Sequence, residues 1–161
     1  MLYELGAEVG EMLKARGETV AVSESSSGGL VSAALLSVGG ASRYYLGGGV
    51  VYTGPARDVL LGLPRELPAQ TRSSSEPYAQ LCANTVRERL NATWGLAETG
   101  AAGPTGNRYG DAAGHTCVAV AGAVQSVLTV ETRVADREAN MWMFARAALE
   151  LLHNTLLQQQ T

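Results

Sequence analysis

Lysine is almost missing from this chain: Lys14 is the only one in 161 residues, so chemistry that needs a titrating amine has a single candidate. Cysteine is scarce as well. Cys82 and Cys117 lie far apart without a paired C-x-x-C spacing, which excludes a disulfide framework, gives no metal site, and leaves two buried thiols in a reducing compartment as the plain reading. Charged residues make up 17% and apolar ones 46%, a balance that excludes both a disordered chain and a charged heptad coil. An excess of positive charge is also absent. The net charge is -3 and the isoelectric point is near 5.4, so nothing marks a surface for nucleic acid or anionic lipid. Glu4, Glu8 and Glu11 interrupt the amino-terminal stretch, which is therefore read as neither a signal peptide nor a membrane span. Neither GxxxxGK[ST] nor GxGxxG occurs, which removes the nucleoside-triphosphate and dinucleotide readings, and no internal repeat or low-complexity tract is present. What remains is one domain over residues 1–161 with a sizeable core, a small-molecule partner by elimination, no cofactor or metal, and a cytoplasmic location.

Apolar residues at helical spacing, Leu2, Leu5, Val9, Met12 and Leu13, predict a first helix that stops at Gly17. Residues 19–23 are short and rich in β-branched side chains, as a buried strand is, and the turn 25–29 leads into a helix over 30–38. A second strand over 44–53 contains Gly47, Gly48 and Gly49, the mark of a bulge or a close backbone approach, and Pro55 opens a short helix ending near Gly62. After a loop over 63–75, Ser75 caps a helix with Tyr78, Leu81, Cys82, Val86 and Leu90 on one face. A strand over 94–99, a glycine-rich loop over 100–114 and a hairpin of strands 115–121 and 126–133 follow. Asp136 caps the last helix, whose inward face holds Met141, Ala145, Ala148, Leu149, Leu152 and Leu156, and the polar end 158–161 is expected to fray. Strands alternating with helices and ending in a hairpin predict an α/β fold, a three-layer α/β/α sandwich around a mixed, mostly parallel five-stranded sheet.

Such sheets bind ligands at the carboxyl ends of their strands. Three segments are expected to meet there, the turn 25–29, the loop 99–106 and the corner 40–42, and two of them carry most of the signal. Glu24-Ser25-Ser26-Ser27-Gly28-Gly29 sits between a strand and a helix, where free backbone N–H groups and the positive helix end favour an anion; an ordinary serine-rich cap accounts for the same residues. Thr99-Gly100-Ala101-Ala102-Gly103-Pro104-Thr105-Gly106 is small and exposes its backbone, as a ligand-wrapping loop or a mobile one would.

These segments, with Gly40-Ala41-Ser42 and Gly48-Gly49-Val50-Val51-Tyr52, resemble in order and separation the motifs of the CinA C-terminal domain, whose best-known activity is nicotinamide-nucleotide amidase. The resemblance covers nearly the whole chain and includes Asp136-Arg137 at the start of the last helix. It implies hydrolysis of nicotinamide mononucleotide to nicotinate mononucleotide and ammonia by a serine-lysine dyad, without a metal. By position it makes Ser42 the nucleophile, with Tyr52 ordering the site. Ser25, Ser26, Ser27, Gly28, Gly29, Thr99, Gly100, Ala102, Gly103, Gly106 and Arg137 would bind the substrate. A homo-oligomeric assembly is also expected.

The family lysine is Arg57 here, in Tyr52-Thr53-Gly54-Pro55-Ala56-Arg57. A desolvated lysine can take a serine proton; a guanidinium, protonated below a pKa of about 12, cannot. His115, beside the glycine loop, is the alternative base, although a strand histidine bonded to its neighbours is the simpler account. The family's Lys-Pro-Val-Gly reads Asp111-Ala112-Ala113-Gly114, which reverses a charge that Arg43, Arg57, Arg108 and Arg137 can offset. The sequence therefore predicts an amidase-like hydrolase of weak or absent turnover, with an inactive nucleotide-binding relative or a surface interaction module as the alternatives.

Overall fold

The computed structural model describes residues 1–159. Helix α1 (Leu2–Arg16) leads into strand β1 (Val20–Glu24) and helix α2 (Leu30–Leu36). A 3-10 turn over Ala41–Arg43 precedes strand β2 (Tyr45–Val50), and α3 (Gly54–Ala56) continues as a wide helical turn over Arg57–Leu61. Then come α4 (Glu76–Leu90), β3 (Trp94–Ala101), β4 (His115–Ala121), β5 (Ser126–Glu131) and α5 (Arg137–Gln158).

The sheet order is β2-β1-β3-β4-β5. β1 runs parallel to β2 and β3, β4 runs antiparallel to both β3 and β5, and so one strand of five is reversed, as the alternation of elements predicted. Central β1 and β4 are buried throughout, whereas edge strands β2 and β5 are half-exposed. The two faces differ in size. Val20, Val22, Leu96, Val118 and Val120 join Leu13, Leu35, Leu149 and Leu152 on one side, whereas Ala21, Ala97, Cys117, Ala119 and Ala121 meet Tyr78, Cys82 and Val86 of α4 on the other. Small side chains let α4 lie close: a Cβ on Gly95 would stand 2.0 Å from the Ala83 carbonyl oxygen.

Several boundaries move. β3 extends two residues further, to Ala101, because antiparallel pairing with β4 continues to His115, and β5 stops at Glu131. Residues 51–53 lie outside β2; the Val51 amide still donates to the Glu24 carbonyl at 2.6 Å. α5 includes Gln158 rather than fraying there, and Gln160 and Thr161 lie outside the described residues. Its inner face adds Asn140 and Phe144, while Met141 is half-buried.

α1 also buries Gly6 and Gly10, which apolar periodicity overlooked. These glycines serve as contact surfaces: a Cβ on Gly6 would be 2.6 Å from the Ala34 carbonyl oxygen, and one on Gly10 would be 2.7 Å from the Tyr44 hydroxyl. Gly6→Ala would gain up to about 1 kcal/mol of helix propensity on an open face. Here it should instead destabilise by ~1–3 kcal/mol, read as a lower urea midpoint; a raised midpoint would show that α1 and α2 separate freely.

Candidate functional site

β1 ends in Glu24, and the chain turns at once into α2, whose first amides have no partner within the helix. Buried carboxyl groups supply the acceptors. Glu24 Oε1 accepts from the amides of Gly29 (3.1 Å) and Val31 (2.9 Å) and from Ser27 Oγ (2.8 Å), and its Oε2 accepts from the Ser32 amide (2.9 Å). Glu98 of β3 reaches across, its Oε2 accepting from the amides of Ser25 (3.0 Å) and Ser27 (2.9 Å). The Gly28 amide donates to the Ser25 carbonyl and the Leu30 amide to the Ser27 carbonyl. The predicted open anion cradle is therefore filled from within, and a phosphate has no vacant row of N–H groups there. Ser26 Oγ donates to the Gly100 carbonyl at 2.7 Å, and Ser27 is fully buried. Gly28 and Gly29 adopt the positive φ that closes the turn, with values of 64° and 98°. Of the predicted residues in this turn, Ser25 is the one that lines the adjoining cavity.

That cavity, about 380 Å³, opens beyond the carboxyl ends of β1 and β3. Ser25, Tyr52, Arg57, Thr99 and Gly100 line it together with Ser74, Tyr78, Arg108 and Tyr109. It holds two arginines and no carboxylate on its wall, so it favours an anionic ligand. Arg57 Nη2 donates to the Arg65 carbonyl at 2.9 Å, while its Nε is buried with no protein acceptor. Behind it stand Tyr78 and Cys82: burial pushes the Cys82 thiol up to about 11, so it stays protonated despite the nearby guanidinium.

The glycine-rich loop divides into two parts. Thr99 and Gly100 face the cavity, Thr99 Oγ1 also accepting from the Ser74 amide at 3.1 Å. Ala102, Gly103 and Gly106 do not; they seat the loop. The Ala102 carbonyl accepts from Asn140 Nδ2 at 2.7 Å, and Cβ atoms on Gly103 and Gly106 would stand 2.7 Å and 2.1 Å from the carbonyl oxygens of Ala135 and Asp111. Arg137 joins this seat to the rim, donating to the Gly103 carbonyl and, at 2.8 Å, to the Tyr52 hydroxyl.

Ser42 is not brought to the cavity. It lies exposed on the 3-10 turn ahead of β2, and Tyr45 pairs with Val20, the first residue of β1. A strand of five residues at about 3.3 Å each separates it from Ser25 by roughly 16 Å. The only lysine is near that far corner: Lys14 Nζ pairs with Glu11 at 2.6 Å and donates to the Gly39 carbonyl at 3.3 Å.

His115 does not line the cavity, and its ring is engaged elsewhere. Its Nε2 meets the Ser74 carbonyl at 2.7 Å and its Nδ1 meets the Glu131 carboxylate, two partners that only accept, so both ring nitrogens carry hydrogen. Burial would lower its pKa, but Glu131, the Ser74 carbonyl and Asp111 outweigh that and hold it above the usual 6.5. Asp111 is neutralised by Arg72 (2.6 and 3.0 Å) and bonded by Asn107 at 2.8 Å. Together they hold its pKa below the ordinary aspartate range against the opposing effect of burial. No cluster among the described residues has the composition of a metal site.

The model of the CinA C-terminal domain matches residues 2–156. The chain belongs to the CinA C-terminal domain family. A CinA-like protein of Salinibacter ruber is 39% identical over 152 residues, covering 94% of this chain and 37% of that protein. A CinA-like protein of Prochlorococcus marinus is 41% identical over 118 residues, covering 73% and 28%. The chain thus spans between about a quarter and two fifths of the length of such relatives, 37% of the one and 28% of the other. Among solved structures, a competence-damaged protein (CinA) superfamily protein from Klebsiella pneumoniae superposes with a TM-score of 0.91 at 26% identity, covering 98% of this chain and 99% of that one. A competence/damage inducible protein from Agrobacterium tumefaciens superposes at 0.87 with 27% identity, covering 96% and 94%. The shared architecture is an open mixed sheet with helices on both sides, and no helix of the described residues is long and apolar enough to cross a membrane.

A raised histidine pKa stabilises the fold fully below the unfolded value, near 6.5, and less as pH climbs through the folded value. Wild-type urea midpoints should fall with pH from about 6.5 upward, and His115→Gln should flatten that decline; equal slopes in both would show that the ring is not held as a cation.

Proposed function

We propose that the cavity is a nicotinamide-nucleotide amidase site, with Ser25 rather than Ser42 as its hydroxyl, in which hydrolysis is slowed because no group nearby accepts a proton. The observation that carries this reading is that Ser25, Tyr52 and Arg57 line one cavity while Ser42 sits at the other end of the sheet. In the reaction, the Ser25 oxygen attacks the carboxamide carbon, ammonia leaves, and water cleaves the resulting ester to a carboxylate. The hydroxyl proton must go to a base during attack. Arg57 stands where the family has lysine and cannot take it. His115, a double donor, does not rescue the step. Arg57 and Arg108 instead favour the negative phosphate of a mononucleotide and Tyr109 offers an aromatic edge, so binding outlasts catalysis.

A positioned base contributes roughly 10²–10⁴-fold. Arg57→Lys should therefore raise ammonia release from nicotinamide mononucleotide by about 100-fold or more. Ser25→Ala should abolish it in that background and Ser42→Ala should leave it unchanged. Loss of turnover in Ser42→Ala alone, or no saturable binding of the nucleotide by wild type, would overturn the assignment.

A further inference from the structure

Glu24 and Glu98 are both buried, at 1% and 3% exposure, and both bond to the same hydroxyl: Ser27 Oγ lies 2.8 Å from Glu24 Oε1 and 2.9 Å from Glu98 Oε2. One hydroxyl hydrogen cannot serve both contacts. The other end of Glu98 repeats the shortage, since Thr116 Oγ1 lies 3.0 Å from Glu98 Oε1 and 3.1 Å from the Thr99 carbonyl, again one hydrogen between two acceptors. The remaining partners of Glu24 are three amides, which only donate, so Glu24 is already served as an acceptor.

We infer that Glu98 carries a proton on Oε1 at neutral pH and acts as a neutral positioning acid for the Ser25 turn. With the proton there, Glu98 donates to Thr116 Oγ1, Thr116 donates to the Thr99 carbonyl, and Glu98 Oε2 stays free to accept the Ser25 and Ser27 amides. Every contact of Glu98 Oε1 and Thr116 is then filled, while Ser27 gives its single hydrogen to Glu24 Oε1 and meets Glu98 Oε2 without one, a close approach that a neutral Glu98 tolerates better than a charged one. The charges around the pair agree. Neither carboxyl group belongs to an ion pair of the described residues. From β1, Glu24 faces Glu98; β4 contributes Thr116; α2 has no charged residue; and Tyr45 of β2 stands beyond Ser32 on the Glu24 side. At the start of α5, Arg137 and Glu138 are exposed, and Arg137 is committed to Gly103 and Tyr52. Burial raises the Glu98 carboxyl above its usual range, in the same direction, with the Ser25, Ser27 and Thr116 bonds acting against it. The inference stands apart from whether the cavity hydrolyses anything.

Infrared spectroscopy of the whole chain at neutral pH should show the carbonyl stretch of a protonated carboxylic acid, and Glu98→Gln should remove it. An amide at position 98 reproduces the neutral acid, with N–H toward Thr116 and oxygen toward the two backbone amides. Glu98→Gln should therefore melt within about 3 °C of wild type, whereas Glu24→Gln should melt about 10 °C lower or fail to fold. The sign with pH also follows. A carboxyl whose folded pKa is raised adds stability below its unfolded value and loses it as pH climbs, so wild type should gain on Glu98→Gln between about pH 8 and pH 5. Absence of the band in wild type, its survival in Glu98→Gln, or a Glu98→Gln melt as low as that of Glu24→Gln would each overturn the inference.

Discussion

Two buried carboxyl groups hold the cavity end of this fold together. Glu24 and Glu98 accept from five backbone amides and the Ser27 hydroxyl, and Glu98 also bonds the Thr116 hydroxyl, where β1, β3, β4 and the start of α2 converge. A buried carboxyl group without donors costs several kcal/mol, and a helix start without acceptors leaves orphan amides; each defect removes the other. The serine-rich turn is therefore fixed by acid side chains behind it rather than by a ligand in front of it. Ser25 inherits that rigidity, since its own amide is one of the bonded groups. A hydroxyl on a mobile loop would lack it.

Much of the architecture was legible because each strand and helix announced itself by period or cap. Ser75 and Asp136 accept from the Tyr78 and Ala139 amides, and Gly17 closes α1 in the left-handed conformation, as the capping logic predicts. What periodicity could not see was the use of absent side chains, at Gly6 and Gly10, where contact depends on the neighbour's backbone or ring. The site was legible only in part. Motif order placed Ser25, Thr99 and Gly100 correctly at strand ends, yet Ser42 was grouped with them although a residue preceding a parallel strand lies at the opposite end from one following it. Topology alone would have separated them. Glu98 carried a signal that went unused, a charged residue inside an otherwise apolar strand, which demands a partner. Tyr109 had no such signature, and Arg108 was marked only by its charge, since loop residues reach a cavity only through tertiary placement.

Arginine at position 57 changes what the cavity can do more than how it is built. Its stem fits where the turn after α3 meets α4, and the guanidinium keeps one hydrogen bond to the Arg65 carbonyl while Nε points to no protein acceptor. A permanent cation with an unused donor suits an anion and cannot shuttle protons. Asp111 shows the complementary adjustment. Its negative charge would have opposed the same ligand, but Arg72 grips it through both carboxylate oxygens, and the rim keeps its positive balance.

The triple glycine of β2 has a consequence for the free margin of the sheet. Gly48 presses against β1 so closely that a Cβ would meet the Val22 oxygen at 2.0 Å, and the pairing slips by one residue between Val20 and Ala21. A foreign strand approaching that margin would meet an irregular ladder, whose break in register blunts the edge as a bulge does. The slip that seats β2 thereby works against uncontrolled polymerisation along its outer border.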